Sequence, residues 1–350
     1  MAVHAAHVRR RTLLVAAAAL GLGLAVIGPE SPAASVSQLP HGWRWESFGG
    51  VQVGIPGGWG WGNGAQRVNQ WCVNPYGDRT TPPIVGRPWI QTLADCGSET
   101  PESPRPETLL KNTGQIVAFQ HTTPQLDGGV PGDTTSAEGD SLLMRRRGVD
   151  VVVIAEPALR RQIAATVHTV DADVNGCPTT DPVSLDPSRR PAAVSSVQSL
   201  GEVRSVSICQ YMLGRLPTRR PPATPAPTSE PEPTTDGAPT PRLLASAILS
   251  GALAQEAVMG SEKGPVGSGP NNPKSCSEEV QYGDDVIVLR VQHVRGESQI
   301  YLRFSGCNYH GFDDGTTVHR LTSATVANFL VAGVVINSYT SEQADDFKLR

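Results

Sequence analysis

At 350 residues the chain exceeds one typical domain, so one large core or two smaller ones are the natural expectations. Apolar residues make up 39% of it, and the 36 Gly and 30 Pro favour turns, short strands and loops over long helices. The net charge is −4, and beyond the N-terminus Arg145–Arg147 is the one run of three basic residues, so the basic face of a nucleic-acid binder is missing.

Residues 1–35 read as an export segment. Arg9, Arg10 and Arg11 form a positive start, an apolar stretch from Thr12 to Gly28 carries no charge, and Ser31–Ser35 supplies small residues for a signal peptidase. The stretch is at the short limit for crossing a bilayer. A cleaved signal peptide and a retained N-terminal membrane anchor both remain open. In either case the arginines stay inside and the rest is exported, with membrane contact only through this segment.

The folded part opens at Gly42–Gly62. Trp43 and Trp45 alternate with polar residues, as do Val51, Val53 and Ile55, which predicts two short strands around Gly49-Gly50, the second ended by Pro56. All the tryptophans lie between residues 43 and 89. Trp59 and Trp61, set between glycines, are the candidates for stacking on a sugar ring of a cell-wall polymer; the competing reading is a Trp-rich core. Gly97–Gly139 is rich in Pro, Thr and Gly and reads mostly as loop. Val149 to Ala155 is a near-continuous apolar run, a buried strand, and Pro157 starts a helix with Leu159, Ile163, Thr166, Val167 and Val170 on its stripe.

A second region begins near Asp173. Glu202–Tyr211 alternates as a strand. Pro217–Pro241 is too proline-rich to fold by itself and favours extended conformations. A helix is expected over Pro241–Met259, a long hairpin over Asp284–Cys307 around Arg295-Gly296-Glu297, and a last helix from Ser323 to Ala332. Residues 172–216 hold too little apolar material for a domain, so their strand must pair with the 283–305 hairpin. The proline-rich run is then an insertion rather than a linker.

The cysteines are Cys72, Cys96, Cys177, Cys209, Cys276 and Cys307. No pair has zinc-ligand spacing, so no metal or cofactor is expected. An even number in an exported chain implies disulfides, and nearest-neighbour pairing gives 72–96, 177–209 and 276–307 among the several arrangements that six cysteines allow.

Two motifs invite catalytic readings. Gly139-Asp140-Ser141-Leu142 matches the signature of secreted serine esterases. The preceding residues read as no strand, however, and no Asp stands three before any of His168, His293, His310 or His319, so Ser141 has no expected base. In Cys307–His319, the residues His310, Asp313, Asp314 and His319 make a candidate metal or acid/base set, but Asp314-Gly315 between alternating residues predicts a hairpin turn instead. Arg145–Arg147 reads as a solvated turn, and no paired carboxylates support glycosidase chemistry. No catalytic residue is assigned.

The segments "VSICQY", "GPNNPKSC", "DDVIVLRV" and "IYLRFSGCNYHGFDDGTTVHRLT" of the second region, with "VQVGIPGGWGWG" and "VGRPW" of the first, resemble exported, often membrane-tethered actinobacterial proteins of unknown function. The placement of Cys276 before a long hairpin and Cys307 after it resembles the Streptomyces subtilisin-inhibitor fold, although "CSEEV" lacks the Cys-Pro context of that inhibitor's reactive bond.

The expectation is an α+β protein of two small disulfide-stabilised domains, each a mainly antiparallel sheet with one or two helices. They span 40–171 and 172–335, the second with the insertion at 217–241, and residues 336–350 form a tail. The function expected is non-enzymatic binding of an envelope polymer or a protein partner outside the cytoplasm. A secreted hydrolase with an unrecognised site and a modified subtilisin-inhibitor-like protein are the alternatives.

Overall fold

The computed structural model describes residues 39–62, 82–87, 110, 114–122, 132–194, 196–213, 242–269 and 281–335. The export segment, Cys72, Cys96, Cys276, the Pro217–Pro241 run and the 336–350 tail lie outside the described residues.

Strands β1 (Trp43–Phe48) and β2 (Val51–Pro56) pair antiparallel from Trp43↔Pro56 to Phe48↔Val51, with Gly49 and Gly50 as the turn. This is the hairpin that the alternation predicts. Its partner is a short strand, β9 (His168–Thr169), against Val51 and Gln52.

A six-stranded sheet follows. Its order is β3 (Gly60–Gly62), β4 (Ile84–Gly86), β5 (Ile116–His121), β8 (Val149–Ile154), β7 (Ser141–Arg146) and β6 (Thr134–Glu138). The β3–β4–β5 pairs are parallel and the others antiparallel, so the expectation of mainly antiparallel pairing holds for only part of this sheet. Helix α1 (Pro157–Ala164) starts at a proline, whose missing N–H costs nothing in the first turn, and buries Ile163.

The other six-stranded sheet is antiparallel throughout: β11 (Leu243–Ser250), β10 (Val203–Met212), β12 (Asp285–His293), β13 (Gly296–Arg303), β14 (Gly311–Asp313) and β15 (Val318–His319). Both faces are covered. Val206, Ile208, Leu289 and Leu302 pack on one side with Ala254 and Val258 of helix α3 (Gly251–Ser261), while Cys209, Tyr211, Val288 and Tyr301 pack on the other with Val183. Burial on both faces puts apolar residues on both sides of these strands. Short helices α2 (Pro182–Leu185) and α4 (Ser323–Val326) are each closed by a capping box.

Four expectations are corrected. The helix from Pro157 ends at Ala164, so Thr166, Val167 and Val170 lie beyond it, and His168–Thr169 is a strand. Leu243–Ser250 is a strand, and only Gly251–Ser261 is helical. Intrinsic propensity lost because the neighbouring β10 offers a full ladder, Ser205↔Ser250 to Tyr211↔Leu243. Gly97–Gly139 is not mostly loop over its described part, which holds β5 and β6; "IVAFQH" is the apolar centre of a sheet. The last helix stops at Val326 and tightens into a 3-10 turn over Ala327–Phe329.

The 283–305 hairpin pairs with β10 as expected, and the proline-rich run joins two neighbouring antiparallel strands, β10 and β11. From Leu39 onward the chain clusters as one unit. Contacts cross residue 171/172: Gly49 N donates to Leu243 O at 2.8 Å, and Met212 and Leu244 belong to the core around Phe48 and Val151. The fold is sheet-rich with a few short helices and a disulfide.

Candidate functional site

The three sheets meet at a buried polar cluster. Glu46 on β1 is 5% exposed, and Arg87, just after β4, is 3% exposed. Arg87 Nη2 donates to Glu46 Oε2 at 2.5 Å, and Nη1 donates to the main-chain oxygens of Ser47, at 2.9 Å, and Leu244. One guanidinium thus ties β1, β4 and β11 together.

The other Glu46 oxygen, Oε1, accepts from Arg44 Nε at 2.7 Å and from Trp61 Nε1 at 3.0 Å. The Arg44 guanidinium lies 4.2 Å from the centre of the Trp61 ring. Trp61 is 37% exposed, whereas Trp59 is 5% exposed and packed in the core with Val53 and Ile55. The two candidate tryptophans therefore have different positions: Trp59 has no ring surface for a ligand, and Trp61 is an exposed ring in a fixed orientation. Gly333 backs Trp61 so closely that a Cβ there would come within 2.5 Å of the ring's Cδ1.

Beside this cluster is a small cavity of about 10 Å³, lined by Phe48, Arg87, Gln210, Leu244, Gly333 and Val335. That is below the ~300–1,000 Å³ of ordinary small-molecule sites. Gln210 Nε2 donates to Asp285 Oδ2 at 2.6 Å and to Val335 O at 2.8 Å. Burial pushes the Asp285 carboxyl up to about 8, opposed by the Gln210 hydrogen bond. Among the described residues, Asp285 Oδ1 and Arg87 Nε have no hydrogen-bond partner.

The catalytic candidates are placed in structural roles. Ser141 is the first residue of β7, in a hairpin rather than a loop, and the residues before it do form a strand. Its hydroxyl donates to Glu138 O at 3.0 Å. The His310–His319 segment is the β14–β15 hairpin that the Asp-Gly pair predicts. Asp313 is held by Arg190 at 2.6 and 2.9 Å, Asp314 Oδ1 accepts the turn amides of Thr316 and Thr317, and His319 Nδ1 lies 3.0 Å from Gly264 O. No group of metal-capable side chains exists among the described residues. Of the arginine run, Arg145 pairs with Asp150, Arg146 with the oxygen of Thr134, and Arg147 with Asp171.

Cys177 and Cys209 form a disulfide with Cα atoms 5.5 Å apart, both fully buried. Asp173 accepts the main-chain N–H of Asn175 and of Cys177, fixing the loop that carries the first thiol. Cys307 is also disulfide-bonded. The pairing 177–209 is the nearest-neighbour one.

Glu46, Arg87, Gln210 and Asp285 escape the sequence reading. The available signal is a polar residue inside or at the end of an apolar strand, as in "SICQYM" and "DVIVLRV". No family model, curated protein or solved structure matches the chain. What defines it is its own fold, sheet-rich and disulfide-bonded, with an exposed tryptophan under an arginine.

Proposed function

We propose that this is an exported cell-envelope protein of two lobes, 40–171 and 172–335, that binds an envelope polymer or a protein partner without catalysing a reaction. The carrying observation is Trp61, a partly exposed ring fixed by Glu46 with a cation stacked on it. A partly exposed aromatic ring held in one orientation suits stacking on a sugar ring of an envelope polymer. The buried Cys177–Cys209 bridge supports an oxidising compartment. The Ser141 hydroxyl is used within its own hairpin, which takes support from an esterase reading of that serine.

Tryptophan fluorescence titrated with soluble peptidoglycan fragments tests the reading. A saturable change in the parent chain that is lost in Trp61→Ala, with no labelling by a fluorophosphonate, is the expected result. A flat titration removes the polymer reading, and labelling at Ser141 removes the non-enzymatic one.

A further inference from the structure

Strand β6, Thr134–Glu138, ends its sheet and has all five residues exposed. Among the described residues it pairs only with β7, in the register Thr134↔Arg145, Ser136↔Leu143 and Glu138↔Ser141. Such an edge is a template for another strand unless charge, proline or a bulge blunts it. Here the strand contains no proline and no Lys or Arg, and its single charge, Glu138, stands at its end.

The register fixes which main-chain groups face outward. Gly139 (φ 53°) and Asp140 form a two-residue turn of the type that takes glycine first, so Glu138 and Ser141 close it as a hydrogen-bonded pair. The next turn, Arg147-Gly148, has positive φ at both residues and closes on Arg146↔Val149. Counting back from either turn gives the same result. Arg145, Leu143 and Ser141 bond to Thr134, Ser136 and Glu138, which leaves the N–H and C=O of Thr135 and Ala137 directed away from the sheet.

We propose that this edge pairs with β6 of a second copy of the chain, antiparallel about a twofold axis at Ser136. Thr135 then faces Ala137 of the other copy in a hydrogen-bonded pair, and the reverse, so every outward main-chain group is satisfied. No like charges stand opposite one another. Each Glu138 faces the uncharged Thr134 of the other copy, whose oxygen accepts from the Arg146 guanidinium, so acid and base stand close across the joint. The edges alone cover less than the ~1,000 Å² of a stable interface, so the association is weak and depends on concentration.

Two Ser136 residues at the twofold axis form a non-hydrogen-bonded pair, whose ~4.5 Å Cα spacing is within disulfide reach. No described cysteine is free to interfere. Ser136→Cys in the full chain is therefore expected to form a covalent dimer under mild oxidation, while Thr135→Cys alone does not. A mixture of Thr135→Cys and Ala137→Cys chains is expected to cross-link. Sedimentation against concentration should show Ala137→Pro weakening self-association by ~10-fold or more with an unchanged circular dichroism spectrum, because that N–H does not serve the β7 ladder. Should Ala137→Pro disturb the strand, Ser136→Lys places two ammonium groups at the axis and is expected to have the same effect. Equal cross-linking at 135 and 136, no cross-linking at either, or self-association unaffected by both Ala137→Pro and Ser136→Lys would overturn the proposal.

Discussion

Gln210 donates its side-chain amide to Asp285 at 2.6 Å, across the β10–β12 pair, and the same nitrogen reaches Val335 O. Gln210 Oε1 accepts from Val335 N at 3.4 Å, so one amide holds both main-chain groups of the segment that follows α4. The carboxyl behind it is buried, and its second oxygen has no partner among the described residues.

Burial raises Asp285 from an ordinary carboxylate value to about 8, so the folded protein holds it protonated at neutral pH while the unfolded chain ionises it. Its contribution is fully present below about pH 4 and is lost as the pH rises through about 8. Asp285→Asn keeps an acceptor for Gln210 without the titration. Urea unfolding at pH 7 should show this variant more stable than the parent by up to about 4 kcal/mol, with the gap closing toward pH 4. A gap that does not change with pH would show that Asp285 keeps its charge in the fold.

His121 titrates in the opposite sense. Burial first, then the charge of Arg242, lowers it to about 4, and its ring packs 5.1 Å from that of Phe48. A neutral folded imidazole contributes stability that is present above about pH 6.5 and is lost as the pH falls through about 4. The loss approaches about 3 kcal/mol. His121→Phe should flatten the acid side of the stability curve between those values. An unchanged slope there would assign the acid loss to other groups.

The Glu46–Arg87 pair is the third test. Glu46→Ala leaves the Arg87 guanidinium buried without its carboxylate and removes the acceptor of Trp61 Nε1. Breaking a buried pair from one side costs about 3–5 kcal/mol, and the Trp61 emission should move as its N–H is freed. A loss below about 1 kcal/mol, as for an exposed pair, would show that the cluster is hydrated.

The sequence by itself determined the local elements. Period-two alternation around Gly49-Gly50 placed β1 and β2, the apolar run at Val149 placed β8, Pro157 started α1, and Asp314-Gly315 made the last hairpin, because turn chemistry and side-chain periodicity act over a few residues. The tertiary structure decided what depends on distant partners. Leu243–Ser250 is a strand because β10 lies beside it, and the 134–138 segment is a strand because β7 folds back on it. Trp59 is core while Trp61, two residues on, is exposed, a difference set by Glu46, Arg44 and Gly333 and not by the glycines that flank both rings. Glu46 and Arg87 become a site only when β1 and β4 come together. Pairing energies of this kind are non-local, and no window of sequence contains both partners.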